Sequence, residues 1–295
     1  MRSDRSVAGT ERLCKGAAAF FQQMSAPTLS ITFLGTGTSM GVPIIRCNCN
    51  VCHSEDTRDK RMRSSLFIET SEQSFVVDTG AEFRLQALRA KIHRVDCVLY
   101  THSHADHVMG FDDLRRFSSL NGDGIPIYAA KETMVDLQRI FDYAFSGKAR
   151  FPGYVHPEPV VIEGSFKLGE TEIHPIRLEH GNAHVLGFLF RQNDKSIAAY
   201  LSDCKRVYPE GLDLLRGVDT LILGTPCRRS HPTHMSIEEG LALAAELKPR
   251  QTYFTHLSHD FGHVATQKEL PSSCFLAYSY AIFERISGGG IHWFN

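Results

Sequence analysis

The run Tyr100-Thr101-His102-Ser103-His104-Ala105-Asp106-His107 constrains this chain more than any other stretch. Three imidazoles and a carboxylate fall directly after the apolar, strand-like segment Val95–Tyr100. In an extended segment alternate side chains share a side, so His102 and His104 point the same way. Asp106 and His107 stand where a helical pattern over Val108–Phe117 begins, and adjacent helical residues diverge by about a quarter turn. Two neighbouring cation sites are therefore expected, one on the histidine pair and one on the carboxylate and third imidazole. Mixed oxygen and nitrogen donors suit zinc, manganese or iron(II) better than calcium.

A two-metal site needs more ligands than this run supplies, so the rest of the chain must return to it. Candidates stand where later strand-like runs end: His180 after Glu172–Leu178, Asp203 after Ile197–Leu201, and His256 after Thr252–Thr255. His184 competes with His180, and spacing leaves the choice open. Further strand-like runs are Leu29–Leu34, Ser65–Glu69, Ser74–Asp78, Ile125–Tyr128, Val185–Phe190 and Thr220–Leu223. A helical pattern starts at Ser236, which with Glu239 reads as a capping box, and Pro249 stops it. Strands with helices spread through both halves predict one layered α/β (α+β) domain over residues 28–295, preceded by a loose extension over residues 1–27.

Three of the eight cysteines are crowded into Cys47-Asn48-Cys49-Asn50-Val51-Cys52. Three thiolates and one imidazole make a closed structural zinc site with no position left for water. His53 is adjacent to Cys52 and would strain to close on the same ion. A remote histidine fits better, and His259, just beyond His256, would tie this loop to the rim of the first site. The other cysteines are scattered in mostly apolar segments, as buried thiols are. With no export signal, a reducing cytoplasm is expected. A formal net charge of −1 advertises neither a nucleic-acid nor a membrane partner. No apolar run approaches the ~18 residues of a membrane span. Leu34-Gly35-Thr36-Gly37-Thr38-Ser39 lacks the phosphate-loop patterns and reads as a tight turn whose glycines permit unusual backbone angles. Asp78 either hydrogen-bonds a metal-bound histidine from behind or, with Thr79, caps a helix.

Thr-His-Ser-His-Ala-Asp-His, with His180, Asp203 and His256 in order, resembles the metallo-β-lactamase superfamily. Within it the chain is similar to the phosphoribosyl cyclic phosphate phosphodiesterases, through G-T-G-T-S-M-G-V-P, C-N-C-N-V-C, L-S-D, S-H-P-T-H, T-H-L-S-H and L-P-S-S-C-F-L-A-Y. The resemblance implies a four-layer αββα sandwich of two mixed sheets with two divalent ions, zinc or manganese, at one edge. It puts His102, His104 and His180 on one ion, Asp106, His107 and His256 on the other, and Asp203 between them. It also implies a structural zinc on Cys47, Cys49, Cys52 and His259, and sets His234 near the substrate phosphate. The chain departs from the pattern at Ser279-Tyr280, where relatives often read Asp-Gly.

The expected function is hydrolysis of a cyclic or small phosphodiester by a hydroxide bridging the two metals, with Asp106 in the catalytic centre and His234 as general acid or phosphate clamp. A small phosphodiester is the expected partner, with no membrane, no clear nucleic-acid surface and a homodimer as a further possibility. Two other readings remain: an endonuclease of the transfer-RNA 3′-end type, and a zinc-stabilised nucleotide-binding protein without turnover. The first normally wants a protruding basic arm, and no long Gly- or Lys-rich insertion is visible.

Overall fold

The computed structural model describes residues 27–122, 124–147, 153–286 and 291–294. The extension expected over residues 1–27 lies outside them except for Pro27, which opens the first strand.

Among the described residues sixteen strands form two sheets. The first contains β1 (Pro27–Gly35), β2 (Ser65–Glu69), β3 (Ser74–Val77), β4 (Cys97–Leu99), β5 (Ile125–Ala129) and β6 (Pro157–Val161), extended past β1 by β15 (Ile282–Ile286) and β16 (Ile291–Phe294). The second runs β11 (Arg206–Val207), β8 (Thr171–His180), β9 (Ala183–Gln192), β10 (Lys195–Leu201), β12 (Thr220–Gly224), β13 (Gln251–Thr255) and β14 (Cys274–Leu276), with β7 (Phe166–Leu168) beside β8. Both are mixed: β3 to β6 are parallel, as are β10 and β12 to β14, and the remaining pairs are antiparallel.

Strand alternation builds three apolar layers from one sequence pattern. Leu29, Ile31 and Phe33 of β1 meet Phe188, Phe190, Ala198 and Tyr200 between the sheets. The intervening residues of β10, Ala199 and Leu201, face outward and pack with Leu215, Leu243 and Leu247. Those come from the C-terminal ends of the helices Pro209–Leu215 and Ile237–Leu247. On the far side Val76 and Val98 pack with Phe83, Phe117, Met134 and Leu137, which belong to α1 (Phe83–Arg89), α3 (Arg115–Leu120) and α4 (Lys131–Ile140). Helices therefore cover both outer faces, and the αββα sandwich expected from the resemblance is the fold observed.

Three local expectations are corrected. The helix expected over Val108–Phe117 is split into a single turn, α2 (Ala105–Val108), a 3-10 turn at Phe111–Leu114, and α3. The break is at Gly110, whose N–H donates to the Thr79 carbonyl at 2.9 Å. A Cβ there would stand 2.2 Å from the Gly80 carbonyl oxygen, so α2 can lie on the loop after β3 only with glycine at this place. The glycines of Leu34–Ser39 serve closeness, not unusual angles: a Cβ on Gly35 would fall 2.0 Å from the Arg63 carbonyl oxygen. The left-handed residues come later in the same connection, Gly41 at φ 63 and Arg46 at φ 64. Finally, neither Asp78 nor Thr79 caps α1, which begins after Glu82 with no side-chain cap.

The capping box at Ser236 is present, Ser236 Oγ accepting from the Glu239 N–H and Glu239 accepting from the Ser236 N–H. Among the described residues no helix is long and apolar enough to cross a membrane.

Candidate metal centre

Chain direction assembles the site. β3, β4, β10, β12 and β13 run parallel within their sheets, so their carboxyl ends open on one edge of the sandwich, where such folds collect ligands. Asp78 follows β3, the His102–His107 run follows β4, His180 ends β8, Asp203 follows β10, and His256 follows β13. His234 comes from the loop between β12 and the helix that starts at Ile237.

The donor atoms of His102, His104, His180 and Asp203 lie within 4.8 Å of one another, and so do those of Asp106, His107 and His256. Asp203 joins the two groups. Its Oδ1 is 3.4 Å from His107 Nε2 and 3.3 Å from His256 Nε2. Its Oδ2 is 3.8 Å from His102 Nε2 and 3.6 Å from His180 Nε2. His184 is exposed and stands outside both groups.

These residues suit divalent ions. The buried Nε2 atoms of His102, His107 and His256 have no hydrogen-bond partner, although buried polar atoms are normally satisfied. His256 has no partner on Nδ1 either, whereas the other nitrogens of His102, His107 and His180 are held from outside and turn Nε2 inward. His107 Nδ1 donates to Asp78 Oδ2 at 2.7 Å. His180 Nδ1 donates to the Thr233 carbonyl at 2.8 Å. His102 Nδ1 lies 3.0 Å from Thr101 Oγ1, which donates its own proton to Asp78 Oδ2 at 2.8 Å. Such outer partners fix the tautomer that leaves Nε2 free for a metal.

Charge points the same way. Burial pushes the Asp203 and Asp106 carboxyls up, yet the facing imidazoles hold both well below the usual carboxylate range. Burial lowers the His107 imidazole, but Asp203 and Asp78 hold it well above its ordinary value. A proton on His107 thus supplies the positive charge that buried carboxylates demand, a charge that divalent ions would supply instead. Burial keeps His102 well below its ordinary value.

A second cluster sits beside the first. His259 Nδ1 is 3.1 Å from Cys47 Sγ, 3.5 Å from Cys49 Sγ and 3.6 Å from Cys52 Sγ. Backbone N–H groups point at the sulfurs, from Cys52 to Cys49 at 3.4 Å and from Ile44 to Cys52 at 3.3 Å. The Cys52 N–H is the main reason that the Cys49 thiol is lowered to about 6, a thiolate-favouring environment. His53 is exposed, lies against the Cys49 carbonyl and is outside this cluster.

Of the supports, sequence reasoning named Asp78 and missed the others. Arg61 is fully buried and donates to the carbonyls of Ser258 at 2.9 Å and Phe261 at 2.6 Å, fixing the turn that bears His256 and His259. Nothing in Lys60-Arg61-Met62-Arg63 distinguishes it from a surface arginine. Thr101 and Thr233 orient histidines through hydroxyl and carbonyl, and the place of Thr101 directly before His102 is the one signal that could have found either. Ser39, Ser103, Asp136 and Asn182 line the cavity of about 650 Å³ above the cluster.

Two packed mixed sheets between helices, with imidazoles and carboxylates gathered at the strand ends, define the hydrolases of the metallo-β-lactamase fold. The β-lactamase superfamily domain model matches residues 73–257. The chain belongs to that superfamily. It is 34% identical to a structure described as a new diphosphatase from the PhnP family, with a TM-score of 0.79, covering 86% of this chain and 96% of that one. It is 34% identical over 230 residues to an octanoyltransferase of Porphyromonas gingivalis, covering 77% of this chain and 45% of that protein. It is 27% identical over 171 residues to a ribonuclease Z of Thermococcus kodakarensis, covering 57% and 48%. The chain spans about half the length of the curated relatives it matches.

Proposed function

We propose that this chain is a dinuclear-metal-dependent phosphoric diester hydrolase acting on a small or cyclic phosphodiester, of the class that phosphoribosyl cyclic phosphate phosphodiesterases cleave. The observation that carries the reading is Asp203, whose two carboxylate oxygens each face a different group of imidazoles. His102, His104 and His180 would hold one ion and Asp106, His107 and His256 the other. Two such ions supply Lewis acidity and a water acidified to near neutrality. Phosphorus chemistry is supported by the names of two relatives, a diphosphatase and a ribonuclease.

The side chains around the ions do the positioning. Asp78 and Thr233 keep His107 and His180 in the tautomer that leaves Nε2 unprotonated. His234 overlooks the cluster, its ring centroid 4.5 Å from that of His180 and 5.3 Å from that of His256. Burial drives its imidazole down to about 3. At rest the ring is therefore neutral and offers one N–H to a phosphoryl oxygen. Donating a full proton to a leaving alkoxide requires the bound anion to raise that pKa first.

The His234→Ala variant separates these roles. As general acid, His234 should be worth roughly a hundredfold or more on an alkyl leaving group. The loss should shrink for bis-p-nitrophenyl phosphate, since p-nitrophenolate leaves without a proton. Equal losses on both assign His234 to holding the phosphate. Loss of bound metal makes it a ligand, a role its place within 4.8 Å of Asp203 and His256 allows. Metal-loaded protein that cleaves neither diester overturns the proposed activity.

A second reading, cleavage of a phosphoanhydride, is favoured by the diphosphatase matched over 96% of its length. Turnover of a dinucleoside diphosphate far exceeding that of bis-p-nitrophenyl phosphate would select it.

A further inference from the structure

Away from the metal centre a second cavity, of about 590 Å³, opens among the segment before β2, the end of α1 and the turn before β15. Small-ligand sites commonly span ~300–1,000 Å³. Arg58, Lys60 and Arg89 line it together with Tyr278, Tyr280 and Met62, and among the described residues no acidic side chain does. Such segregation is not a by-product of overall charge, since the chain carries a formal net charge of −1.

The three cations differ in availability. Arg58 is clamped by Asp56, Nε to Oδ1 at 2.9 Å and Nη2 to Oδ2 at 2.7 Å, which fixes its guanidinium and offsets its charge. Arg89 is exposed and near enough to the Tyr280 phenol to oppose the burial that raises it. Lys60 is exposed, its Nζ 3.5 Å from the Cys52 carbonyl. Among the described residues neither has a carboxylate partner, and a guanidinium and an ammonium lining one cavity are what a phosphate recognises.

The aromatic part of the lining is strained. Tyr280 has φ 70, a left-handed backbone disfavoured for any residue with a Cβ. Its N–H is fastened to the Phe33 carbonyl at 2.6 Å, and its hydroxyl lies 3.8 Å from Met62 Sδ. A strained residue that displays a ring into a cavity is a pattern associated with ligand sites. Tyr278, two residues earlier, is braced edge-on against His263 with ring centroids 5.4 Å apart.

We propose that this cavity is a second binding site for a small phosphorylated aromatic ligand of the nucleotide class. Arg89 and Lys60 take the phosphate, and the ring of the ligand lies against Tyr278 and Tyr280. The site uses none of the residues of the metal centre, so it stands whether or not that centre cleaves diesters.

Calorimetric titration of the metal-loaded chain with AMP, adenosine and inorganic phosphate tests it. AMP should bind at least tenfold more tightly than either fragment, and equally well to His104→Ala, whose metal centre is impaired. Tyr280→Gly places at φ 70 the residue indifferent to that angle. It should melt no lower than the parent and hydrolyse bis-p-nitrophenyl phosphate unchanged, yet lose at least tenfold in AMP affinity. Arg89→Ala should lose as much. Equal AMP binding by both variants and the parent overturns the proposal, as does no binding by the parent. Phosphate binding as tight as that of AMP leaves only a patch for anions and overturns the nucleotide class.

Discussion

Asp78 shows how one buried side chain can govern a site that it does not enter. Its carboxylate accepts from His107 Nδ1 at 2.7 Å and from the Thr101 N–H and hydroxyl, each at 2.8 Å. Burial raises its pKa, and His107 and Thr101 oppose that shift. It holds these bonds from φ 63, a left-handed conformation that asparagine also tolerates. Asp78→Asn therefore leaves the backbone in place and removes the charge together with one good acceptor. His107 then loses what fixes its tautomer, and catalytic-metal affinity should fall about 10- to 100-fold, the usual effect of removing an outer partner. Zinc content after dialysis against a competing chelator reads this out. Unchanged content would show that Asp78 does not act through His107. His104→Ala should go further, removing most of the metal and turnover while circular dichroism stays that of the folded chain.

At the scale of elements, the strands that carry ligands were legible because each is an apolar run ending in a chemically conspicuous residue. β10 reads Ile-Ala-Ala-Tyr-Leu before Ser202-Asp203, and β13 reads Thr-Tyr-Phe-Thr before His256. The helix after Ser236 announced itself by its capping box. Edge elements did not. β6 contains Pro157 and Pro159 and is largely exposed, so neither alternation nor composition marks it, and proline is tolerated there because the strand lies at an edge. β11 is two residues long and exists only through pairing with β8. The break at Gly110 was unreadable for another reason: its cause is the distant loop at Gly80. Gly224 is the same kind of residue, with a testable consequence. A Cβ there would fall 1.6 Å from the Ser202 carbonyl oxygen, immediately before Asp203. Gly224→Ala must push β12 away from β10, an overpacking cost of about 1–3 kcal/mol. Urea unfolding should show that loss together with reduced catalytic-metal content. A stable variant with full metal would mean that the strands separate without moving Asp203.

At the scale of the whole molecule, the cysteine cluster and Arg61 do one job from two directions. Cys47, Cys49 and Cys52 lie between β1 and β2 of the first sheet, whereas His259 follows β13 of the second, 212 residues beyond Cys47. An ion closing that cluster ties the two sheets together at the edge where the metal centre sits. Arg61 makes a second tie, from the same loop to the carbonyls of Ser258 and Phe261. His256 stands between these ties and the active cluster at φ 55, so its placement depends on a turn held from both ends. The two kinds of metal should therefore be separable. Mild chelation should strip the open catalytic pair and abolish turnover, leaving about one zinc per chain, because a closed thiolate site exchanges slowly. Cys49→Ser should lose that last equivalent and melt lower, by roughly 2–4 °C for each kcal/mol lost in a domain of this size. His259→Ala should do the same more mildly, and His53→Ala not at all. The catalytic ions report on the coupling: if the tie places His256, Cys49→Ser should also bind them more weakly at temperatures where the chain is still folded. Full zinc content and an unchanged melting temperature in Cys49→Ser would reduce the cluster to free thiols. Lost zinc with undiminished catalytic-metal affinity would leave a staple for the sheets that takes no part in placing His256.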